Sequence, residues 1–252
     1  VQTPEDVKEA RKLINGRAKV IAKLEKPLVM EHLEEIVALS DGVMIGRGDF
    51  AVEASYEVVP VYQKRIIREC NKQNKPVIVA TQMIENMINN PFPTRAEISD
   101  ISTAVYDCAD CTMLSAETTV GKYPDLAVGM MAKVIKTAEN PKNADVLDSY
   151  VKFNAQFRDS DSELAKKLND LVANGAKALV MDNPSVEFVG RVSKLRLRVP
   201  FFPLFKDEQE EQLCRLFYGC FPVLGDISVE DMKAKVAKSQ NLKDNEVVVV
   251  AE

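Results

Sequence analysis

Apolar residues along this chain gather in short unbroken runs, separated by segments in which they recur every three or four positions. The runs Val20-Ile21-Ala22, Gly42-Val43-Met44-Ile45, Val77-Ile78-Val79-Ala80 and Cys111-Thr112-Met113-Leu114 are too short for buried helices, and each ends abruptly in polar side chains. Helical spacing predicts helices over Pro4 to Asn15, Val29 to Leu39, Tyr56 to Asn74, Thr94 to Tyr106 and Pro124 to Glu139. Strand, helix, strand in succession, with strands that do not alternate apolar and polar residues, predicts a parallel sheet covered on both faces. The fold class is α/β.

Asn140-Pro141-Lys142-Asn143-Ala144-Asp145 is polar, proline-bearing and unpatterned, which predicts a domain boundary dividing residues 1–140 from 141–252. Beyond it, helices at Ser162 to Ala173, Val186 to Leu195, Glu208 to Phe217 and Val229 to Ser239 separate apolar runs. Those runs, at Ala176 to Met181, Val199 to Leu204, Phe221 to Leu224 and Glu246 to Ala251, predict a small, open three-layer α/β domain. The chain opens on a helix start, with Thr3 as cap and Pro4 in the first turn, and closes on Val247-Val248-Val249-Val250. It reads as a piece of a longer polypeptide.

Composition narrows the function classes. With 252 residues, 46% hydrophobic and 28% charged, the chain has the balance of a globular protein. The net charge of −5 gives no reason to expect a nucleic-acid or membrane partner, and no apolar run approaches the roughly 18 residues of a membrane span. A cytoplasmic location is the expectation. Five cysteines form no secreted framework, and Cys108-Ala109-Asp110-Cys111 lacks further zinc ligands in a chain whose one histidine is His32. Ordinary packing of a helix end into a strand is the expected role of that motif.

The strand endings carry the chemistry. Lys23 and Glu25 lie on one face because strand side chains alternate, and Ser115 and Glu117 stand in the same relation. In α/β barrels and doubly wound sheets the C-terminal strand ends hold the site, so Glu25 and Asp49 come together from neighbouring strands. Two carboxylates without histidine make a hard oxygen site suited to Mg²⁺ or Mn²⁺, and Lys23 adds a second fixed cation. Such a pairing suits phosphoryl transfer or enolate formation. Gly46 and Gly48 bracket Arg47, where a short helix start would offer free backbone N–H groups to an anion. Thr94-Arg95-Ala96-Glu97 reads as a capping box, and Met83, Met87, Met130 and Met131 as packing.

Taken together, the stretches Ala22-Lys23-Leu24-Glu25, Gly42 to Asp49, Lys75 to Met83, Pro93 to Glu97 and Ala109 to Thr118 resemble the pyruvate kinase family, in its order and spacing. The resemblance covers most of the chain and weakens after about Asn140. It implies strands 5 to 8 of a (β/α)8 TIM barrel followed by most of the C-terminal regulatory domain. The other four strands, a mobile lid, the K⁺ ligands and an arginine for the transferred phosphate would lie upstream. The implied reaction carries phosphate from phosphoenolpyruvate to ADP and then protonates enolpyruvate.

By that resemblance Lys23 stabilises the phosphoryl group in flight and the enolate, while Glu25 and Asp49 hold Mg²⁺ or Mn²⁺. Backbone groups at Arg47, Gly48 and Asp49 bind the substrate carboxylate, Thr81 lies against the reacting carbon, and Ser115 and Glu117 belong to the proton-delivery network. Arg47, Gln82 and Arg95 match positions near the subunit contact of a homo-oligomer, a tetramer in the family. Phe50-Ala51 stands where the family usually has Leu-Gly, Ala116 where it has glycine, and Ala54-Ser55 where proline is common. Met181-Asp182-Asn183-Pro184-Ser185 replaces an effector loop that cradles a sugar phosphate, and its acid and proline predict no such activation. Two other readings fit the residues: a metal-dependent aldolase or lyase acting on pyruvate enolates, and an inactive homologue or fragment serving as an assembly or regulatory partner.

Overall fold

Each of the four short apolar runs in the N-terminal part forms a strand, and the segments between them form helices. The computed structural model describes residues 1–156 and 162–252. It divides into two units, Val1–Arg158 and Asp159–Glu252. In the first, α1 (Pro4–Ile14), β1 (Ile21–Leu24), α2 (Leu33–Leu39), β2 (Gly42–Gly46) and α3 (Arg47–Glu53) follow one another. They lead into α4 (Val59–Lys72), β3 (Val77–Ala80), α5 (Arg95–Tyr106), β4 (Cys111–Met113), α6 (Ala116–Thr119), α7 (Pro124–Ala138) and α8 (Ala144–Ala155).

The four strands pair in parallel in the order β1-β2-β3-β4. Their side chains divide by period two. Ala22, Leu24, Val43, Ile45, Val77 and Val79 share one core with Val37 of α2, Ile66 and Ile67 of α4 and Ile101 of α5. Each such Leu, Ile or Val removed from water contributes about 1.5–3 kcal/mol, and this face therefore fixes the register. Lys23, Met44, Ile78 and Ala80 alternate with those positions. Leu24 pairs with Ile45, Gly46 with Ala80 and Ala80 with Met113. The strand ends are thus level, and Glu25, Arg47, Thr81 and Leu114 emerge along one edge.

Helix boundaries differ from the sequence pattern where proline or a short element intervenes. The stretch read as one helix from Val29 to Leu39 is a 3-10 turn at Pro27–Glu31 followed by α2, with exposed His32 between them. Pro60, which has no N–H to give, sits in the first turn of α4, and a separate 3-10 turn at Tyr56–Val58 precedes it. Helices α3 and α6 are too short to show a period. Thr94 and Glu97 do form a reciprocal cap: the Glu97 N–H donates to Thr94 Oγ1 at 3.2 Å and the Thr94 N–H to Glu97 Oε2 at 2.6 Å. Cys108 adopts φ 66° in the turn from α5 to β4, where Asn154 Nδ2 donates to its sulfur at 3.6 Å.

That last contact belongs to α8, which begins inside the polar stretch read as a boundary. Tyr150 stacks on Tyr106 at 5.2 Å, and Leu147 and Asn154 are buried. The division between units therefore lies later in the chain than the proline-bearing stretch at Asn140.

The second unit contains α9 (Ser162–Ala173), β5 (Ala178–Asp182), α10 (Val186–Lys194), β6 (Phe201–Phe205), α11 (Glu208–Cys214), β7 (Val223–Leu224), α12 (Val229–Ser239) and β8 (Val247–Val249). Its parallel sheet has the order β7-β6-β5-β8. Leu179 and Met181 join a core with Phe188, Val192 and Phe217, while Ala178 and Val180 join another with Met232 and Val236. Helices thus cover both faces, the three-layer arrangement that the apolar runs predict.

The strand order reverses between β5 and β8. There Ser185 caps α10, its Oγ accepting the Phe188 N–H at 3.1 Å, and the Glu252 carboxylate accepts the Ser185 N–H at 2.8 Å and its hydroxyl at 2.7 Å. These bonds, the backbone one foremost, hold the Glu252 carboxyl below its ordinary range, with Arg191 adding to them.

Two measurements check these contacts. Thr94→Ala removes the cap of α5 and lowers the urea-unfolding stability of the first unit by about 1 kcal/mol. Glu252→Gln destabilises the second unit at neutral pH. Because the folded-state value of Glu252 is depressed, the wild-type advantage is present above the unfolded carboxyl value and is lost as the pH falls through the depressed folded-state value.

Candidate active site

The level strand ends bring three charged groups together. Lys23 Nζ lies against Glu25 Oε1 and 3.8 Å from Asp49 Oδ2. Asp49 reaches this point because β2 stops at Gly46 and α3 starts at Arg47, which puts the carboxylate in the first helical turn, favoured by the positive end of the backbone dipoles. Gly46 is required by close approach: a Cβ there would lie 2.6 Å from Glu25 Oε1. The Glu25 contact foremost, and Asp49 after it, raises the Lys23 pKa above that of a free lysine, against a smaller opposing effect of burial. Lys23, an ammonium at neutral pH in any case, is held in place by the two carboxylates.

Glu25 Oε1 is buried, and its partner is the Lys23 ammonium, which lies directly against it. The Glu25 and Asp49 carboxylates, which flank the Lys23 ammonium, are oxygen donors of the kind a hard divalent ion takes. Among the described residues no cluster of three or more His, Cys, Asp and Glu side chains forms a complete metal cage. An ion held by two carboxylates alone would have its remaining positions open to other oxygen ligands, as is usual for Mg²⁺.

At the end of β3, Thr81 and Gln82 have φ 69° and 51°. A β-branched residue in this left-handed region is unusual and costs on the order of 1–3 kcal/mol. The Thr81 hydroxyl donates to the Ala80 carbonyl at 2.6 Å and accepts the Gly48 N–H at 3.0 Å. One of the three backbone donors at the start of α3 is thus already engaged with Thr81. The Arg47 guanidinium turns inward, 8% exposed, and pairs with Asp100 at 2.6 Å. Its Nε donates to the carbonyls of Ala80 at 3.3 Å and Thr81 at 3.2 Å, and its Nη2 to those of Thr81 at 2.6 Å and Gln82 at 3.0 Å.

At the end of β4, Glu117 is buried and both its oxygens are used by the backbone. Oε2 accepts the Ser115 N–H at 2.8 Å and Oε1 the Ile84 N–H at 3.3 Å. Ala51 and Ala116 both keep negative φ, so neither substitution strains the chain.

The structure therefore groups Lys23, Glu25 and Asp49 directly, joins Thr81 to Gly48, and joins Ser115 to Glu117 and the segment after β3. Of the three positions read as near a subunit contact, Gln82 and Arg95 are exposed and Arg47 is buried. Sequence reasoning missed the inward turn of Arg47 and its partner Asp100. Asp100 gave no local signal, lying mid-helix among ordinary helix-surface residues. The need for glycine at 46 was legible only as its position in Gly46-Arg47-Gly48.

Known proteins resemble this chain over most of its length. The family model described as the pyruvate kinase barrel domain matches residues 1–128. A pyruvate kinase of Agrobacterium vitis is 41% identical over 219 residues, covering 87% of this chain and 45% of that protein. One from Thermotoga maritima is 38% identical over 236 residues, covering 92% of this chain and 50% of that protein. The crystal structure of a pyruvate kinase from Cryptosporidium parvum superposes with a TM-score of 0.85 at 27% identity, over 96% of this chain and 53% of that one. The chain spans about half the length of the curated relatives it matches. Its first unit has a TIM-barrel-type fold and its second is a C-terminal α/β domain, and the chain belongs to the pyruvate kinase family.

Proposed function

We propose that the protein carrying this chain transfers the phosphoryl group of phosphoenolpyruvate to ADP, giving pyruvate and ATP. The observation that carries the reading is the Lys23 ammonium set between the Glu25 and Asp49 carboxylates at the level strand ends. In this reaction a β-phosphate oxygen of ADP bonds to phosphorus, the bond from phosphorus to the enol oxygen breaks, and the enolate takes a proton at carbon. Negative charge moves between oxygens throughout. A fixed cation aimed at that charge lowers the barrier without reorganising.

Glu25 and Asp49 would hold Mg²⁺ or Mn²⁺, which supplies charge neutralisation and a template for phosphate and carboxylate oxygens. K⁺ would be bound by residues outside this chain. Lys23 would neutralise the phosphoryl group and the enolate. The substrate carboxylate would lie at the backbone of Arg47, Gly48 and Asp49, sharing the Gly48 donor with Thr81, whose hydroxyl borders the reacting carbon. Ser115 would serve proton delivery, and Glu117, with both oxygens on backbone amides, would serve it by holding Ser115 in place.

A homo-oligomer contact would use exposed Arg95 and exposed Gln82, which borders a cleft with Arg47, Tyr56, Gln63, Lys64 and Asp100. A cytoplasmic setting goes with this reading, and among the described residues no helix is long and apolar enough to cross a membrane. Met181 to Ser185 would bind no sugar phosphate, since Glu252 already takes the Ser185 donors. Neither the aldolase or lyase reading nor the inactive-partner reading is favoured by the family match.

The test is pyruvate formation from phosphoenolpyruvate by the protein at the full length its gene encodes, with and without ADP. Turnover is expected only with ADP and Mg²⁺; ADP-independent pyruvate formation would sink the proposal in favour of a lyase. Lys23→Met is expected to lower kcat about 10²- to 10³-fold. Glu25→Gln should weaken Mn²⁺ binding, followed by electron paramagnetic resonance, about tenfold or more. Unchanged Mn²⁺ affinity would remove Glu25 from the metal site.

A further inference from the structure

We infer that Arg47 is the positioning residue of this site, its buried guanidinium holding the Ala80-Thr81-Gln82 turn in the left-handed conformation that sets Thr81 against Gly48. The inference rests on the reading of the β3 end as part of the phosphoryl-transfer site. Two successive non-glycine residues at positive φ need an outside force to hold them, because each is disfavoured by its own Cβ. Gln82 is exposed, so burial of its side chain does not supply that force. Three successive carbonyl oxygens, of Ala80, Thr81 and Gln82, instead meet one guanidinium at 2.6–3.3 Å.

The geometry calls for arginine in particular. A planar fork presents Nε and Nη2 to the carbonyls on one side and Nη1 to Asp100 Oδ1 at 2.8 Å and Gln63 Oε1 at 3.3 Å on the other. A lysine ammonium, a point charge with three donors, cannot reach both sets. Asp100 neutralises the buried charge, and the low surrounding polarity strengthens each of these bonds.

The same residue opens α3. Its backbone leads directly into Gly48, whose N–H meets Thr81 Oγ1, and into Asp49, which approaches Lys23. Arg47 thus ties β3 to α3 twice, once through its side chain to the turn and once through the neighbouring amide. Release of the turn would move the Thr81 hydroxyl relative to Asp49 and Lys23 while the β2 and β3 cores stay packed.

Amide hydrogen exchange and steady-state kinetics on Arg47→Lys, again at the full encoded length, decide the matter. The Gly48 amide is expected to exchange about tenfold faster or more, with Val43 and Ile45 in β2 unchanged. The kcat is expected to fall about tenfold or more with the KM for ADP unmoved. Unchanged Gly48 exchange overturns the inference, as does acceleration shared by Val43 and Ile45, which would mark Arg47 as a general packing residue. Faster Gly48 exchange with unaltered kcat also overturns it. A wild-type protein with no turnover would overturn the proposed reaction, and Gly48 exchange alone would then decide whether Arg47 holds the turn. If Arg47→Lys does not fold, Asp100→Asn replaces it, with the same readings and a smaller, about threefold, rise in Gly48 exchange expected.

Discussion

The hydrogen-bond register of the first parallel sheet is the constraint on which the rest depends. Because Leu24 stands beside Ile45, Gly46 beside Ala80 and Ala80 beside Met113, four strands end at one level. Each then delivers its next residues to the same edge. A slip of one residue would turn Lys23 and Glu25 to the helix-covered face and bury two charges against Val37 and Ile66, so the hydrophobic face that stabilises the unit also fixes the chemistry.

At that edge the charges are arranged around mutual need. Glu25 and Asp49 flank Lys23 and favour its charged form further, and Glu25 can lie where it does because position 46 has no side chain. Neither carboxylate is spent on backbone amides: Glu25 Oε1 meets the Lys23 ammonium, and Asp49 is exposed. Glu117 is the contrast. It is a buried carboxylate whose oxygens are both satisfied by backbone amides, and it organises two loops instead of offering a free ligand.

Backbone strain at Thr81 and Gln82 is offset by the Arg47 fork, itself neutralised by Asp100. The second unit manages its strand-order reversal differently. Between β5 and β8, where open α/β sheets commonly take ligands, the chain sets its own Glu252 carboxylate on the cap of α10.

The sequence by itself determined the α/β class, the strand positions within a few residues, the Thr94 to Glu97 cap and the family through the motifs at the strand ends. These are legible because strand period, turn chemistry and motif spacing are properties of neighbouring residues. Only the tertiary structure decided that Arg47 turns inward to Asp100, that Glu117 spends both oxygens on backbone, that α8 packs into the first unit, and that Glu252 reaches Ser185. Each joins residues 33 to 67 positions apart, or depends on which way a side chain turns once its strand is paired. Local pattern carries no information about such contacts, because packing across the sheet is what selects them.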